Sequence, residues 1–468
     1  MAIALKLDVV IMAAGKGTRM KSSRPKVLHR IGGRAMAAHV LDTARALVPR
    51  RIVVVTGHGA QQVEQALTAE GAGLDLRFVL QQPQLGTGHA VQQAEPLLHG
   101  DGVVVVLNGD VPLIAADTVR QLVAASAGER LALLTVELPV PTGYGRIVRG
   151  PGGVRAIVEH KDAAPDELAI REVYTGIMAV PAARLAGWLA RLSDDNRQHE
   201  YYLTDIVAMA VADGVPVEGV RTGDAVQVAG VNSPLQLAEL ERAYQLRQAH
   251  ALLEQGVRLA DPARFDLRGT LVCAQDVEID VGCVFEGRVE LGEGVQVGAH
   301  CVVANARIAA GAVLHPFTHI DGEAAGVEVG AQARIGPFSR LRPGARLGAG
   351  VHIGNFVEVK NSTLADGAKA NHLAYLGDAV VGERVNYGAG AITANYDGAN
   401  KHRTVIEADV HIGSNSVLVA PVTIGAGGTV GAGSTITKST PAGALTVARG
   451  KQASIAGWNR PSRKAHEG

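Results

Sequence analysis

The chain has few aromatic residues, few cysteines and no net charge. Aromatic residues make up 3% of its 468 residues, which argues against a surface that stacks nucleic-acid bases. Lys and Arg total 45, as do Asp and Glu, so no overall basic field favours nucleic acid or anionic membranes. Three cysteines without paired spacing argue against a disulfide framework, and no zinc-type spacing occurs. They are Cys273, Cys283 and Cys301.

Long hydrophobic runs are also absent. No apolar stretch approaches the roughly 20 residues of a membrane span. The short apolar stretch at the N-terminus leads directly into a loop pattern, so it predicts a buried first strand and not a signal peptide. We therefore expect a cytoplasmic protein that binds neither membrane nor nucleic acid. The length and the 47% hydrophobic content predict a globular chain of two or three domains.

The first half alternates strand patterns with helix patterns. Apolar, β-branched runs predict buried strands, and amphipathic segments separate them. This alternation predicts a mostly parallel sheet covered on both faces, with ligands at the carboxyl ends of the strands. The predicted strands are 7–12, 52–56, 77–80, 102–107 and 131–136, and the predicted helices are 36–46 and 61–69.

In the second half an aliphatic residue returns at every sixth position. This period is typical of a parallel β-helix, in which each repeat forms one flat side of a triangular coil. The period breaks at 361–369 and at 395–407, and such breaks predict inserted loops, where sites tend to be built. The residues in phase are Val329, Ile335, Leu341, Leu347, Ile353 and Val359, and then Ile412, Leu418, Ile424, Val430 and Ile436.

One long helix is predicted between the halves, over 234–255, because this segment lacks Gly and Pro and carries a leucine stripe. Gly256 follows it as a stop. The basic ending at 460–464 is expected to be a solvated tail.

A glycine-rich run after the first strand predicts a phosphate site. Gly15 and Gly17 would let backbone N–H groups approach a phosphate, and Arg19 and Lys26 would add positive charge. Asp110 ends a second apolar strand, where a carboxylate can hold Mg²⁺. The run is neither a P-loop nor a dinucleotide-binding fingerprint.

Several motifs carry a resemblance to a known family. The run Ala13–Met20 with Pro25–Leu28 resembles the signature of sugar-1-phosphate nucleotidyltransferases. With the predicted β-helix attached, the whole chain resembles the bacterial bifunctional enzymes that are both N-acetylglucosamine-1-phosphate uridylyltransferase and glucosamine-1-phosphate acetyltransferase. The further motifs are Gln84–Ala90, Asn108–Leu113, Gly143–Ile147, Glu159–Asp162, Glu200–Asp205 and Gly230–Asn232.

The resemblance implies an α/β chain in three parts. A Rossmann-like nucleotidyltransferase domain would cover 1–233 and a linker helix 234–255. A left-handed parallel β-helix of hexapeptide repeats, with a C-terminal tail, would cover 256–468. The enzyme would acetylate glucosamine-1-phosphate with acetyl-CoA and then join the product to UTP, giving UDP-N-acetylglucosamine and pyrophosphate for peptidoglycan and lipopolysaccharide precursors.

For the uridylyltransferase, the resemblance implies a Mg²⁺ site at Asp110 and Asn232, with Arg19 and Lys26 at the phosphates. The chain departs from the family at Tyr174, where the usual residue is Asn, and a phenol offers a single hydroxyl in place of an amide. The full set of implied nucleotide and sugar contacts is Met12, Ala13, Ala14, Gly15, Arg19, Lys26, Gln81, Gly86, Thr87, Asn108, Gly109, Asp110, Gly145, Glu159, Tyr174 and Asn232.

Polar residues gather around the breaks in the β-helix period. Residues one coil apart are neighbours in space, so His372 can share a cleft with several cations and amides. Acetyl transfer to an amine needs a base of near-neutral pKa, which His supplies, and clamps for an anionic sugar phosphate. None of the three cysteines lies in this cluster, which disfavours a thiol nucleophile and predicts direct transfer.

For the acetyltransferase, the resemblance implies His372 as the base and a homotrimer with the acetyl-CoA site between subunits. The implied sugar-phosphate contacts are Arg342, Lys360, Tyr375, Asn386 and Lys401. The implied acetyl-CoA contacts are Ala389, Asn395, Tyr396, Ser414, Ala432 and Arg449.

Two other readings stay open. In the first, the chain is a nucleotidyltransferase whose β-helix serves only oligomerisation or regulation; the polar cluster around His372 speaks against it. In the second, it is a non-enzymatic scaffold with a degenerate first domain; the presence of Arg19, Lys26 and Asp110 weighs against that.

Overall fold

The computed structural model describes residues 5–460, which form two compact units divided between Gln248 and Ala249. The long helix, Pro234–Glu254, crosses this division, so each unit contains part of it. The domain bounds expected from the sequence (1–233, 234–255 and 256–468) stay a prediction. Of the basic ending, residues 461–464 lie outside the described residues. No helix within residues 5–460 is long and apolar enough to cross a membrane.

The front unit contains eleven strands and eight helices within its described residues. The strands are β1 Leu7–Ala13, β2 Arg30–Ile31, β3 Arg34–Ala35, β4 Arg51–Thr56, β5 Leu76–Leu80, β6 Val103–Asn108, β7 Leu131–Glu137, β8 Arg146–Gly150, β9 Gly153–Val158, β10 Glu172–Pro181 and β11 Val217–Thr222. The helices are α1 Met36–Ala46, α2 Ala60–Glu70, α3 Thr87–Ala94, α4 Ala116–Ser126, α5 Pro165–Leu168, α6 Ala182–Leu189, α7 Ile206–Ala212 and α8 Pro234–Glu254. Short 3₁₀ turns occupy Thr18–Met20, Lys26–Leu28, Glu95–Leu97, Leu203–Asp205 and Ala225–Val228.

The main sheet has the order β11-β7-β10-β6-β1-β4-β5. Strand β1 lies between β4 and β6 and is parallel to both. Its apolar residues are buried because helices cover both faces of the sheet, as the continuous apolar run predicts. One strand departs from the expectation: β10 is antiparallel to β6 and β7. It brings the hairpin β8–β9 to the side of the sheet.

The register of the central strands brings the motifs to one edge. Met12 in β1 pairs with Asn108 in β6, and Ala13 pairs with Thr56 in β4. The glycine-rich run and Asp110 follow directly after these residues. Both therefore lie at the carboxyl edge of the sheet, where ligands bind in open α/β sheets.

The rear unit is a stack of short parallel strands, β12 to β38, with a 3₁₀ turn at Pro262–Arg264 between the first two strands. In chain order they are Arg258–Leu259, Phe265–Cys273, Glu278–Ile279, Cys283–Leu291, Gln296–Val297, Val302–Ile308, Val313–Leu314, His319–Asp321, Val327–Val329, Arg334–Ile335, Arg340–Leu341, Arg346–Leu347, His352–Asn355, Glu358–Lys360, Thr363–Leu364, Lys369–His372, Tyr375–Gly377, Ala379–Val381, Asn386–Tyr387, Ile392–Ala394, Thr404–Ile406, His411–Ile412, Val417–Val419, Val422–Ile424, Thr429–Val430, Thr435–Ile436 and Leu445–Thr446.

These strands form a parallel β-helix, as the six-residue period predicts. They belong to an 11-stranded sheet and a 16-stranded sheet, in which neighbouring strands pair in parallel. The aliphatic residues in phase are buried and form one continuous core inside the coil. Because successive coils pair in register, residues of equivalent position stand in vertical columns.

The two breaks in the period have different structures. Val329 pairs with Leu347, a coil of 18 residues, but Leu347 pairs with Leu364, so the next coil is one residue shorter. The expectation of an inserted loop at the first break is therefore wrong. At the second break Val381 pairs with Ile406, so this coil contains an insertion, and residues 395–403 form its loop.

Candidate active sites

A cavity of about 460 Å³ opens at the carboxyl edge of the front sheet. Its walls come from the loop after β1, the end of β6 and the start of α3. The lining includes ten residues expected from the sequence: Met12, Ala13, Ala14, Gly15, Lys26, Gln81, Gly86, Thr87, Asn108 and Asp110. It also includes Lys16, Val27, Gln84, Ala90 and Glu200, which were not expected as contacts.

Lys26, Asp110 and Asn232 converge although they are far apart in sequence. The ammonium of Lys26 donates to Asp110 Oδ2 and, over 3.2 Å, to Asn232 Oδ1. The backbone N–H of Val231 donates to the C=O of Asp110 over 3.0 Å, which fixes the second segment beside the first. The side chains of Lys26 and Asp110 are 13% and 20% exposed, so water screens this pair only in part.

The same three groups provide a test for a divalent cation. Oxygen atoms of Asp110 and Asn232 already lie close together, because both accept hydrogen bonds from the ammonium group of Lys26. Oxygen donors suit Mg²⁺, which needs only one or two protein ligands because waters and phosphates complete its shell. No cluster of three His, Cys, Asp or Glu occurs among residues 5–460. The residues therefore fit a Mg²⁺ shared with a phosphate ligand.

The glycines of the loop have separate physical roles. Gly17 has φ of 62°, and a Cβ there would lie 2.6 Å from the Cβ of Lys26, so any larger residue would push the lysine away. A Cβ at Gly15 would meet nothing within 4 Å. The space beside Gly15 is open to the cavity and can admit a phosphate.

The opposite wall is preorganised by glutamines. Gln81 is 4% exposed, and its Nε2 donates to the C=O of Gly86 over 2.8 Å. Gln84 Nε2 donates to the C=O of Ala14, which joins this wall to the phosphate loop. Gly86 has φ of 108°, and a Cβ there would lie 2.6 Å from the C=O of Tyr201. The wall can therefore hold a planar base with backbone and amide groups.

The expected sugar contacts lie near one another, outside the cavity lining. A Cβ at Gly145 would lie 3.6 Å from Glu159 Oε1, and the N–H of Tyr174 donates to the C=O of Gly145 over 2.9 Å. Burial raises the pKa of Glu159, and a hydrogen bond of 3.1 Å from the Thr204 hydroxyl partly opposes this rise. The Tyr174 hydroxyl is buried without a hydrogen-bond partner, and burial raises its pKa well above the ordinary value.

Two residues that were expected to contact the nucleotide or sugar, Arg19 and Gly109, lie outside the cavity wall. Arg19 is exposed in the 3₁₀ turn Thr18–Met20, and Gly109 is buried under the loop, where its N–H donates to the C=O of Met12 over 2.9 Å. Neither lines the cavity. Gly109 therefore has a structural explanation of its own, while Arg19 is free to reach a ligand from outside.

In the rear unit, His372 stands in a column with acetyl-CoA contacts expected from the sequence. Asn355 pairs with His372 between neighbouring strands, and its Oδ1 lies 2.9 Å from His372 Nδ1. One coil further, Ala389 continues this column. The N–H of Asn415 donates to the C=O of Ala389, and that of Gly433 to the C=O of Ser414, both over 2.8 Å, which brings Ser414 and Ala432 above it.

The top of this column is closed by Arg449, whose Nη1 donates to the C=O of Ala432 over 2.7 Å. His372 is exposed, so its imidazole is available to a ligand. If Asn355 Oδ1 accepts from Nδ1–H, the unprotonated Nε2 faces outward as a base. Sequence spacing does not identify Asn355 as the partner of His372, because Asn355 lies in the preceding coil.

A cationic group stands on the neighbouring face. Arg342 and Lys360 occupy equivalent positions in successive coils, and the N–H of Arg342 donates to the C=O of Val359 over 2.8 Å. Arg342 also donates to Glu358 Oε1 over 2.8 Å. In the next coil the corresponding position is Gly377, where a Cβ would lie 2.3 Å from the hydroxyl of Tyr375. The glycine leaves room for this phenol beside the cations.

Lys401 approaches the same group from the inserted loop. Its proximity is the largest cause that lowers the pKa of Lys360 from the ordinary value, ahead of burial. We call Arg342, Lys360 and Lys401 the cationic clamp. Three positive charges on one small surface favour binding of a phosphate.

The remaining expected contacts, Asn386, Asn395 and Tyr396, lie in different parts of the β-helix. Asn395 is buried at the base of the inserted loop, and Tyr396 is exposed beside it. Asn386 lies in the 11-stranded sheet, with His372, whereas the strands of Lys360 and Tyr375 belong to the 16-stranded sheet. Within one chain, Asn386 and the clamp are therefore on different faces.

Burial makes the cysteines poor nucleophiles. It raises the pKa of Cys273 and of Cys283 to about 11 and that of Cys301 to about 12. At neutral pH these groups are thiols, and the thiolate is the reactive form. Direct acetyl transfer stays a prediction.

Comparisons with known proteins match both units. Residues 9–197 match the family model of the MobA-like NTP transferase domain, and residues 326–361 and 403–438 match that of the bacterial transferase hexapeptide. Proteins named bifunctional protein GlmU from Paracidovorax citrulli and Acidovorax ebreus are each 74% identical to the chain, over 98% of its length and 98% and 99% of theirs. The GlmU of Cupriavidus taiwanensis is 58% identical, over 97% of this chain and 99% of that protein.

Proposed function

Because the chain belongs to the family of bifunctional GlmU proteins, we propose how its two units divide two reactions. The chain is a bifunctional uridylyltransferase and acetyltransferase. It transfers an acetyl group from acetyl-CoA to glucosamine-1-phosphate. It then transfers UMP from UTP to N-acetylglucosamine-1-phosphate, which gives UDP-N-acetylglucosamine and pyrophosphate.

The front unit carries out uridylyl transfer. The convergence of Lys26, Asp110 and Asn232 supports this assignment. A phosphate oxygen of the sugar attacks the α-phosphorus of UTP, and the bond to pyrophosphate breaks. Mg²⁺ held by Asp110 and Asn232 supplies charge neutralisation when bound. Lys26 and Arg19 hold the phosphates, and Gln81, Gly86 and Thr87 hold the uracil.

Positioning is the main task of the remaining front-unit residues. Gly15 leaves the loop open beside the cavity, and Met12, Ala13, Ala14 and Asn108 line that cavity. Glu159 accepts hydrogen bonds from sugar hydroxyls, next to Gly145 and Tyr174. Two anions react in this step, so fixed cations and orientation supply most of the acceleration.

The rear unit carries out acetyl transfer. The column that joins Asn355, His372 and Ala389 supports this assignment. The sugar amine attacks the thioester carbonyl carbon, and His372 Nε2 takes the proton that the amine loses. The C–S bond then breaks, and His372 returns the proton to the sulfur, so that coenzyme A leaves as a thiol. The cationic clamp and Tyr375 hold the sugar phosphate, while Ala389, Ser414 and Ala432 form a narrow wall for acetyl-CoA.

Acetyl transfer takes place in a homotrimer. Phe317, Phe338 and Phe356 stack at successive corners with ring centroids 5.1 and 5.6 Å apart, and each is about half exposed. Leu373, 62% exposed, extends this ridge to the residue beside His372. An exposed apolar ridge is stabilised when another copy covers it. Subunit contacts would then also bring Asn386 of one chain to the clamp of another.

The location of the protein follows from its co-substrates. UTP and acetyl-CoA are made and used in the cytoplasm, so the enzyme works there.

Two half-reaction assays test the division of work. His372→Ala should abolish acetyl transfer from acetyl-CoA to glucosamine-1-phosphate and leave synthesis of UDP-N-acetylglucosamine from UTP intact. Asp110→Ala should do the reverse. Each variant is the folding control for the other. Loss of both activities in either variant, with an unchanged circular dichroism spectrum, would contradict separate sites.

A further inference from the structure

Three polar side chains form a ladder at one corner of the β-helix. Asn361, Asp378 and Asn395 each follow the last residue of a strand, and these strands pair in register from coil to coil. Both carboxylate oxygens of Asp378 are used: Oδ1 accepts from Nδ2 of Asn361, and Oδ2 accepts from Nδ2 of Asn395. We call these residues the corner ladder.

The central carboxylate is buried. Asp378 is 9% exposed and Asn395 is 8% exposed, and a carboxylate removed from water is costly unless its oxygens accept hydrogen bonds. Asp378 also adopts φ of 50°, which L-residues other than Asn and Asp rarely tolerate. The hydrogen bonds from Asn361 and Asn395 therefore offset the cost of burying the Asp378 carboxylate.

Asn395 is also the base of the loop at 395–403, which we call the hairpin arm. The N–H of His402 donates to the C=O of Asn395 over 2.8 Å, and Tyr396 and Lys401 form an antiparallel bridge next to it. Across the arm, His402 Nε2 lies 2.6 Å from Asp397 Oδ2. These bonds make the arm a closed unit, so its orientation depends on its base.

The corner ladder links the two lysines of the cationic clamp. On one side, the N–H of Asp378 donates to the C=O of Lys360 over 3.1 Å. On the other side, its carboxylate holds Asn395, from which the arm carries Lys401. The negative charge of Asp378 also opposes the repulsion between the two lysines, since it raises the pKa of Lys360 while Lys401 lowers it.

We propose that Asp378 is a positioning residue for acetyl transfer: its buried carboxylate holds the hairpin arm so that Lys401 and Lys360 face the same sugar phosphate. The carboxylate does not touch the reacting atoms. It organises the clamp before the substrate arrives, which lowers the cost of ordering the arm on binding. This inference rests on the proposed acetyltransferase function of the rear unit.

Asp378→Asn tests the inference because it keeps the size of the side chain and removes the charge. An amide can accept hydrogen bonds only through its one oxygen, so one of the two hydrogen bonds from Asn361 and Asn395 is lost. We expect the KM for glucosamine-1-phosphate to rise about tenfold or more, with kcat changed much less. Asp366→Asn, an exposed corner residue outside both sites, is the matched control and should keep the wild-type KM.

Two more variants separate positioning from folding. Asp378→Glu keeps the charge one methylene further out and should raise the KM by a smaller factor than Asp378→Asn. The double variant Asp378→Asn with Asn395→Asp restores a carboxylate–amide pair with the two partners exchanged. Because Asn395 is also an expected acetyl-CoA contact, this variant is measured at saturating acetyl-CoA, where it should recover part of the lost affinity for the sugar phosphate. Uridylyl transfer by each variant serves as an internal control of folding.

These kinetic measurements distinguish failure of the inference from failure of the proposed function. An unchanged KM for glucosamine-1-phosphate in a folded, active Asp378→Asn enzyme would overturn the inference. So would a fall in kcat with no change in KM, or no recovery in the double variant, because a purely structural role gives these results. Failure of the proposed function would look different, since wild-type enzyme would then show no acetyl transfer at all.

Discussion

Lys360 and Lys401 lie side by side, although six strands and most of the inserted loop separate them along the chain. The nearby Lys401 lowers the pKa of Lys360, and the carboxylate of Asp378 opposes this effect only in part, as expected for two positive charges held close together. Lys360 lies in a strand of the β-helix, and Lys401 lies in the loop that interrupts the period. The insertion therefore completes a site that the regular coil only begins.

The first prediction concerns this pair. Lys401→Met should raise the KM for glucosamine-1-phosphate about tenfold, because a charge-assisted contact to phosphate contributes roughly 1.5–3 kcal/mol. Steady-state acetyl transfer with varied sugar phosphate measures it, and exposed Lys438→Met is the control. An equal KM for both variants would exclude Lys401 from the clamp.

The second prediction concerns Asn355, the partner of the imidazole that we propose as the base. Asn355→Ala removes the acceptor for Nδ1–H, so the ring can adopt the wrong tautomer or rotate. We expect kcat for acetyl transfer to fall about tenfold with little change in either KM. Asn355→Asp should instead place a negative charge beside the ring and stabilise the imidazolium, which would move the acidic limb of the kcat profile to higher pH. Identical pH profiles for wild type and Asn355→Asp would count against this contact.

The third prediction concerns Tyr174. Its buried hydroxyl has no partner in the protein, so Tyr174→Phe should raise the free energy of unfolding of the ligand-free enzyme by about 1 kcal/mol. If the hydroxyl meets the sugar, the same variant should raise the KM for N-acetylglucosamine-1-phosphate severalfold. Chemical denaturation and uridylyl-transfer kinetics measure the two effects. A stabilised variant with an unchanged KM would show that the hydroxyl makes no sugar contact.

The fourth prediction concerns pH and Glu159. Burial raises the pKa of this carboxyl above its ordinary value of 4.5, so the folded state binds a proton more readily than the unfolded state. The stability that this group contributes is present below pH 4.5 and is lost as pH rises through the folded pKa. Glu159→Gln should therefore be more stable than wild type at pH 7.

The advantage of the glutamine variant should shrink as pH falls towards 4.5. Thermal unfolding of both proteins across pH 4 to 8 measures it, and Glu137→Gln, exposed on β7, is the control. A constant difference in stability across this range would mean that the Glu159 carboxyl is not perturbed.

Much of both sites could be predicted from short-range patterns. Asp110 follows an apolar strand, and the glycines of the loop follow another, so their place at the sheet edge results from parallel topology alone. Six-residue spacing likewise identifies which aliphatic side chains point into the coil. These features depend only on residues that are neighbours in sequence.

Other features depend on how many residues each coil contains. Asn355, His372, Ala389 and Ser414 share a column only because their coils have the lengths that the structure shows. The same count places Asn361, Asp378 and Asn395 at one corner. A period broken at 361–369 is compatible with a longer or a shorter coil, and the pairing of Leu347 with Leu364 shows the shorter one.

The amino-acid sequence by itself determined the two kinds of architecture, the buried faces of their strands and the residue types that carry the chemistry. Only the tertiary structure decided that β10 runs antiparallel, that Lys26 bonds to both Asp110 and Asn232, and that Asp378 bonds to Asn395 at the base of the hairpin arm. The physical reason is the separation along the chain over which each kind of interaction acts. Side-chain periodicity is set by backbone geometry within a few residues, whereas these contacts join residues 17 to more than 100 positions apart and depend on register.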